Sequence, residues 1–188
     1  MESNSTAVQI HKLGFTDIVK MCKLYCNLPI HIREVFHPFP YQKGKFITYL
    51  CWIFISTNLF PIVKRVVPRL SYYLLIASDR KEKDVLGFIY FSLTAKEYEG
   101  YIANVGIITK EQVQGKGIGS KMYQSLIRSA KANGVSKFRV TVMQRNGPST
   151  EQVKRLGYVC KGYTEDDYWN KKRETNLMWE LDLKKILS

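Results

Sequence analysis

Three glycines spaced two residues apart, Gly115, Gly117 and Gly119, constrain this chain more than any other feature. They follow an apolar segment, residues 102–108, that predicts a β-strand, and they precede an amphipathic pattern that predicts a helix. Gly134 lies where that helix should end. Glycines between a strand and a helix let the backbone approach a ligand closely, and a helix N-terminus favours negative charge. The stretch therefore predicts a site for a cofactor that contains a pyrophosphate.

The spacing of the glycines excludes the two commonest phosphate-binding motifs. The dinucleotide-binding fingerprint needs Gly-x-Gly-x-x-Gly, whereas here one residue separates each glycine from the next. The P-loop needs Gly-Lys and then Ser or Thr, four residues after a first glycine, and this stretch has no such sequence.

The glycine stretch instead resembles the Gln/Arg-x-x-Gly-x-Gly/Ala pyrophosphate loop of the GNAT acyltransferase superfamily. Gln114, Gly117 and Gly119 occupy the defined positions of that loop. The resemblance covers about residues 71–183 and is strongest over residues 101–158.

A second segment supports the resemblance. Residues 137–143 predict a strand, Asn146 follows, and a predicted helix then ends in Leu156-Gly157-Tyr158. This order is similar to the family's segment in which a strand, an asparagine and a helix lead to Leu-Gly-Phe.

The resemblance implies an α+β fold, with a mixed, mainly antiparallel sheet of six to seven strands flanked by helices and a splayed central strand pair. Residues 1–188 would form a single domain, with a cofactor half at about 101–158 and a variable apolar helical insert at about 43–70. The implied activity is transfer of an acetyl group from acetyl-coenzyme A to an amine, by direct attack in a ternary complex. The acceptor would be a small molecule or a peptide, and a dimer is one option for the assembly.

The resemblance also implies where the cofactor lies. The pantetheine arm would add to the splayed strand like an extra strand, and the pyrophosphate would lie on the amides of residues 114–120. Lys116 would either add charge at a phosphate or remain a solvated loop lysine. Asn146 would either reach the pantetheine or act only as a turn residue. The predicted cofactor-binding residues are Ile107, Ile108, Thr109, Gln114, Gly115, Lys116, Gly117, Ile118, Gly119, Ser120 and Asn146.

The sequence leaves several alternatives for the acid that protonates the leaving thiolate. Many GNAT enzymes carry a tyrosine four residues before the glycine of Leu-Gly-Phe, and here Val153 occupies that position. Tyr123 or Tyr158 could replace it as the acid, or the thiolate could leave unassisted because a thiol has a pKa of about 8.5. A domain without catalysis is the further alternative.

Three residues are candidates for the base that takes the proton of the amine. Glu97 and Glu99 precede the predicted cofactor strand, and solvated turn carboxylates are the simpler interpretation of both. His37 lies in a His-Pro-Phe-Pro sequence that is similar to an element of some bacterial GNAT proteins, and a structural histidine is its alternative.

Composition excludes a disordered chain and weakens other functional classes. With 45% apolar and 13% aromatic residues, the 188-residue chain can bury a core. The net charge of +13 suggests nucleic acid, but the charge is spread over both halves and coenzyme A is itself an anion, so we expect no nucleic-acid partner.

The cysteines and histidines have no metal-ligand spacing, so we expect no metal. Each of Cys22, Cys26, Cys51 and Cys160 is interpreted as a small buried apolar residue. The polar start of the chain does not resemble a signal peptide, and a cytoplasmic location is therefore expected.

Residues 46–63 are almost continuously apolar between basic flanks. Ser56, Thr57, Asn58 and Pro61 interrupt the run and weaken the prediction of a transmembrane span. The favoured interpretation is a helical pair that covers the sheet and forms a wall of the acceptor pocket. A membrane-surface helix on a non-catalytic coenzyme A-binding module is the alternative.

The remaining pattern predicts a strand at 8–13, a helix starting at Thr16 or Asp17, and a hairpin of strands 74–77 and 85–91. The pattern predicts that the inner face of the first helix carries Ile18, Val19, Cys22, Tyr25 and Cys26. Strands at about 158–164 and 174–183 close the predicted sheet.

Overall fold

A computed structural model describes residues 8–33, 39–40, 42–80, 84–167 and 173–186. Within these ranges, seven strands form one sheet in the order β1-β2-β3-β4-β5-β7-β6. The strands are β1 (Val8–Lys12), β2 (Tyr72–Asp79), β3 (Val85–Glu97), β4 (Gly100–Thr109), β5 (Val135–Met143), β6 (Val159–Asp167) and β7 (Arg173–Asp182). The helices are α1 (Asp17–Cys26), α2 (Ile30–Arg33), α3 (Lys43–Asn58), α4 (Phe60–Val66), α5 (Ile118–Ala132) and α6 (Gly147–Arg155).

The sheet confirms the predicted α+β architecture. Strands β1 to β4 form an antiparallel meander, and it includes the hairpin predicted from residues 74–77 and 85–91. Strand β5 pairs with β4 in parallel, and β7 pairs antiparallel with both β5 and β6. The parallel pair requires a crossover, which α5 supplies after the glycine loop.

Two hydrophobic cores cover the two faces of the sheet. On the α5 face, helices α5 and α6 pack against buried side chains that include Phe91, Leu126, Phe138 and Val153. On the α3 face, helices α1 and α3 pack against a second core, whose largest side chains are Tyr25, Phe39, Phe46 and Phe88. Alternating side chains of the same strands supply both cores, as expected for a sheet that is covered on both sides.

The apolar segment forms the predicted helical pair, α3 and α4, with a bend of 104° between the helices. Pro61 lies in the first turn of α4, where its missing N–H costs no helical hydrogen bond. The bend lets α3 cover one face while Phe60 packs against Tyr73 and Phe91 in the core of the other face. In the part of the chain that the structure describes, no single helix is long and apolar enough to cross a membrane.

The polar residues at the end of α3 bond to the sheet. Strand β1 pairs only with residues 75–79 of β2, so the start of β2 needs other partners. Ser56 Oγ donates to the carbonyl oxygen of Tyr72 at 2.9 Å and accepts its N–H at 2.7 Å. Thr57 Oγ1 accepts the N–H of Leu74 at 3.1 Å. These side chains therefore replace a neighbouring strand at the edge of β2.

Two predictions about side-chain burial are wrong in part. Val19 is 76% exposed, and Met21 takes its place in the core, because α1 is rotated so that its buried stripe starts at Asp17 and Ile18. Cys51 and Cys160 are also exposed, since they lie on the outer sides of α3 and β6. Burial is confirmed for Cys22, and Cys26 is half-buried.

Thr57→Val should lower the free energy of unfolding by about 1–3 kcal/mol, because the buried N–H of Leu74 would lose its acceptor without a change in side-chain shape. Urea denaturation measures the change. Thr48→Ala is the matched control, since Thr48 bonds only the carbonyl of Gly44 in its own helix and should change stability by less than about 0.5 kcal/mol. Equal losses in the two variants would contradict the proposed role of α3 at the strand edge.

Candidate active site

Strands β4 and β5 separate partway along their length. Strand β4 pairs with β3 as far as Thr109, but its pairing with β5 ends at Asn104, opposite Arg139. Beyond Arg139, strand β5 pairs only with β7 within the described residues. This confirms the predicted splayed central pair and leaves residues 105–109 with an open edge.

The glycine loop joins this open edge to α5. Gly115 and Gly117 both have φ of +75°, a left-handed conformation that side chains disfavour. A Cβ added at either glycine would meet no atom within 4 Å. Gly117 is also the N-cap of α5. The loop therefore leaves open space directly above the positive end of the helix dipole.

The amides of the loop are available for an anion. Among the described residues, the N–H groups of 115–120 donate to no backbone acceptor, as expected for a helix start without a side-chain cap. The N–H of Gln114 donates to the carbonyl of Glu111 at 3.1 Å, and the contact of Gln114 with the cofactor stays a prediction. The open space and the amides of residues 115–120 fit a pyrophosphate.

Two lysines near the loop differ in their electrostatic surroundings. Lys110 forms an ion pair with Asp84, and this hydrogen bond holds the pKa of the carboxyl below its ordinary value. Lys116 is exposed and makes no ion pair with any residue that the structure describes. Of the two lysines, Lys116 is therefore the one whose charge is available to a phosphate.

The other predicted cofactor residues line the two sides of the splay. Ile107 packs toward the α5 face, where its Cδ1 lies 3.7 Å from the position of a Cβ on Gly119. Ile108 is buried in the α3-face core. Asn146 caps α6, and its Oδ1 accepts the N–H of Ser149 at 3.3 Å. This cap supports the turn interpretation of Asn146, and its contact with pantetheine stays a prediction.

The candidate bases lie at the other end of β4. Glu97 and Glu99 flank the β3–β4 hairpin, where they pair with Lys137 and Lys184 at 3.0 Å each. Hydrogen bonding and charge from Glu97 raise the pKa of Lys137. A ten-residue strand spans roughly 30 Å, so these carboxylates are remote from the glycine loop. His37 lies outside the described residues.

The candidate acids form a buried pair. The hydroxyls of Tyr123 and Tyr158 contact each other in the α5-face core. Val153 is buried in the same core. Burial raises the pKa of both phenols. The structure therefore brings these two tyrosines together in the core.

Sequence reasoning missed the polar and aromatic residues on the α3 face of the splay. Asn104 is exposed there, and Arg139 donates to Glu180 Oε1 at 2.6 Å on the adjacent strands. The ring of Tyr90 lies over Gly106, where a Cβ would be only 2.4 Å from Cε1 of the tyrosine. A glycine inside an apolar strand often marks such a close approach, and this signal was present in the sequence.

An open aromatic cleft of about 310 Å³ lies on the same face. Trp52 is half-buried in its wall, and the indole N–H donates to the carbonyl of Leu70 at 2.9 Å. The ring of Tyr72 lies 6.4 Å from that of Tyr90, which pairs with β4. Burial and the neighbouring Tyr49 raise the pKa of the Tyr72 hydroxyl. The cleft is lined by Thr48, Tyr49, Trp52, Leu70 and Tyr72.

Comparison with known families agrees with this geometry. The model of the acetyltransferase (GNAT) family matches residues 30–158, which include the splay, the loop and α5. The chain belongs to this family. It is also similar to an L-methionine sulfoximine/L-methionine sulfone acetyltransferase of Pseudomonas aeruginosa, with 29% identity over 96 residues. That match spans 50% of this chain and 55% of the relative.

Solved structures show the same fold. The ribosomal-protein-S5-alanine acetyltransferase from Vibrio fischeri has a TM-score of 0.74 at 16% identity and covers 96% of each chain. The protein yncA from Salmonella typhimurium, solved with its cofactor acetyl-CoA, has a TM-score of 0.72 at 14% identity and the same coverage.

Gly117→Ala should lower the free energy of unfolding by roughly 1–2 kcal/mol, because alanine must adopt the left-handed conformation at the N-cap of α5. Gly147→Ala is the control, since a Cβ there also meets open space but φ is not positive. Chemical denaturation of both variants measures the difference. A loss no larger than that of the control would show that the loop relaxes to another conformation.

Proposed function

We propose that this chain transfers an acetyl group from acetyl-coenzyme A to an amine acceptor, by direct attack in a ternary complex. The observation that carries the proposal is the left-handed glycine loop, whose free amides lie at the N-terminus of α5 and adjoin the open edge of β4. The glycine loop would hold the pyrophosphate of the cofactor, and the open edge of β4 would hold its extended pantetheine arm. The family match supports the same assignment.

The backbone does most of the binding in this proposal. The amides of 115–120 would hold the pyrophosphate with help from Lys116, and residues 107–109 would pair with the pantetheine arm as a further strand would. When bound, the cofactor supplies the activated acetyl group. Pairing between β4 and β5 resumes at Asn104, so the reacting end of the arm would lie beside residues 105–107.

The acceptor would approach from the α3 face. The aromatic cleft beside α3 offers apolar rings, while Asn104 and the ion pair of Arg139 with Glu180 offer polar groups nearer the splay. An amine on a small molecule or peptide with an apolar side group fits this combination. The Pseudomonas relative is named for amino-acid-like acceptors, and these are a reasonable first set to test. A cytoplasmic location remains part of the proposal.

Coenzyme A should raise the melting temperature, because a ligand that binds only the folded state adds RT ln(1 + [L]/Kd), or ~2.7 kcal/mol at a hundredfold excess over Kd. Gly119→Asp should abolish the shift by placing a carboxylate among the phosphate-binding amides. Gly44→Asp is the matched control, since Gly44 lies at the exposed start of α3 and its Cβ would meet nothing within 4 Å. Thermal unfolding with millimolar coenzyme A tests this, and an unmoved wild-type melting temperature would refute the cofactor assignment.

Release of free thiol from acetyl-coenzyme A with a panel of amines separates an enzyme from a non-catalytic binding module. An enzyme should release thiol only when amine is present, with one acetylated amine formed for each thiol. A protein that coenzyme A stabilises but that acetylates no amine in a broad panel would favour the binding module.

Val153→Ala should leave the turnover number within about threefold of wild type, because an alkyl side chain can donate no proton. The variant should still lose stability of about 1–2 kcal/mol, since Val153 is buried in the α5-face core. Thiol release and urea denaturation measure the two effects. A large loss of turnover with folding and coenzyme A affinity intact would contradict the placement of the leaving group.

A further inference from the structure

The ring of Tyr90 occupies the space that a side chain at position 106 would need. Tyr90 lies directly opposite Gly106 in the β3–β4 pairing. An added Cβ at Gly106 would be 2.4 Å from Cε1 of the ring and 2.8 Å from its hydroxyl oxygen. The ring therefore crosses the backbone of β4, and the hydroxyl lies over that backbone.

This hydroxyl lies at the open part of the splay. Gly106 is two residues beyond Asn104, where the pairing of β4 with β5 ends. The ring belongs to the α3 face, from which the acceptor would approach. Tyr90 thus places a phenolic O–H at the vertex of the splay, between the acceptor side and the open edge of β4.

Neighbouring side chains hold the Tyr90 ring, whereas its hydroxyl is unbonded among the residues that the structure describes. Phe39 packs against the ring with centroids 5.0 Å apart, and the residue is only 8% exposed. The hydroxyl forms no hydrogen bond with any residue that the structure describes. A phenol that is fixed in place without a partner is suited to donate to a ligand, because it needs no reorganisation to do so.

We propose that the Tyr90 hydroxyl donates a hydrogen bond to the carbonyl oxygen of the thioester during acetyl transfer. This inference rests on the proposed function. The amine nitrogen bonds to the carbonyl carbon, and the C=O electron pair moves to the oxygen that Tyr90 faces. The electron pair on the oxygen then re-forms the C=O bond as the carbon–sulfur bond breaks. The thiolate leaves with the pair of that bond, and the nitrogen loses its proton to solvent, which gives the amide.

Tyr90 keeps its own proton throughout. Burial raises the pKa of the Tyr90 phenol, and the neighbouring Tyr72 raises it further. A thiolate, whose conjugate thiol has a pKa of about 8.5, is too weak a base to remove that proton. Tyr90 therefore stabilises the developing oxyanion by a hydrogen bond. It does not serve as the proton-donating acid that is absent at Val153.

Infrared difference spectroscopy with acetyl-coenzyme A labelled with carbon-13 at the thioester carbonyl tests the contact without an acceptor. In the wild type, the carbonyl band of the bound thioester should lie at lower wavenumber than the band of the same thioester in a solvent that donates no hydrogen bonds. Tyr90→Phe should move the band back to higher wavenumber while coenzyme A still raises the melting temperature. Tyr73→Phe is the matched control, since Tyr73 is a buried tyrosine on the opposite face of the same sheet and should leave the band unchanged.

Kinetics supply the second test. Tyr90→Phe should lower the turnover number by about 10²–10³-fold, as for loss of one oxyanion donor, with KM for acetyl-coenzyme A within about threefold. Gly106→Ala should cause a similar loss, because its Cβ must displace the ring, and the double variant should be no worse than either single one.

The outcomes distinguish this inference from the function on which it rests. If acetyl-coenzyme A neither stabilises the wild type nor gives a bound carbonyl band, the proposed function is wrong and the role of Tyr90 is wrong with it. If the cofactor binds but Tyr90→Phe leaves both the band and the turnover number at wild-type values, the role of Tyr90 alone is wrong. Loss of folding in Gly106→Ala leaves Tyr90→Phe to decide.

Discussion

The pairing between β4 and β5 stops at Asn104 and Arg139, and the candidate site depends on where it stops. If the two strands paired along their full length, the backbone N–H and C=O groups at this edge of β4 would all be bonded to β5. No place would then remain for an extended ligand. No pairing would leave α5 without a fixed position, since the parallel contact anchors the strand on each side of the crossover. Four residues of contact hold the two strands together, and residues 105–109 remain open.

The same interruption divides the chemistry between the two faces of the sheet. The phosphate-binding amides belong to the helix that packs on the α5 face. The aromatic cleft and Tyr90 belong to the α3 face. A cofactor and an acceptor held on opposite faces could meet only through the splay, which suits a direct transfer without a covalent enzyme intermediate.

Local signals in the sequence predicted the parts of the site that consecutive residues build. The spacing of Gly115, Gly117 and Gly119 between a strand and a helix was enough to predict the loop, because backbone conformation and helix capping depend on near neighbours. Tyr90 could not be found in the same way, since its role depends on the β3–β4 register, which places it opposite Gly106. Val19 was misassigned because an amphipathic pattern in a short helix leaves its rotation uncertain by about one residue.

The apolar segment 46–63 shows what hydropathy alone leaves open. Its hydrophobic content suits a membrane, an interface or a core, and the bend before Pro61 together with the hydrogen bonds of Ser56 and Thr57 determines which contacts form. Because Ser56 and Thr57 occupy the hydrogen-bonding positions of a missing strand, α3 is part of the sheet's bonding and not only a cover over it. The amide protons of Tyr72 and Leu74 can then exchange with solvent only when the end of α3 detaches, which makes the helix and the first turn of the strand one cooperative unit of local unfolding.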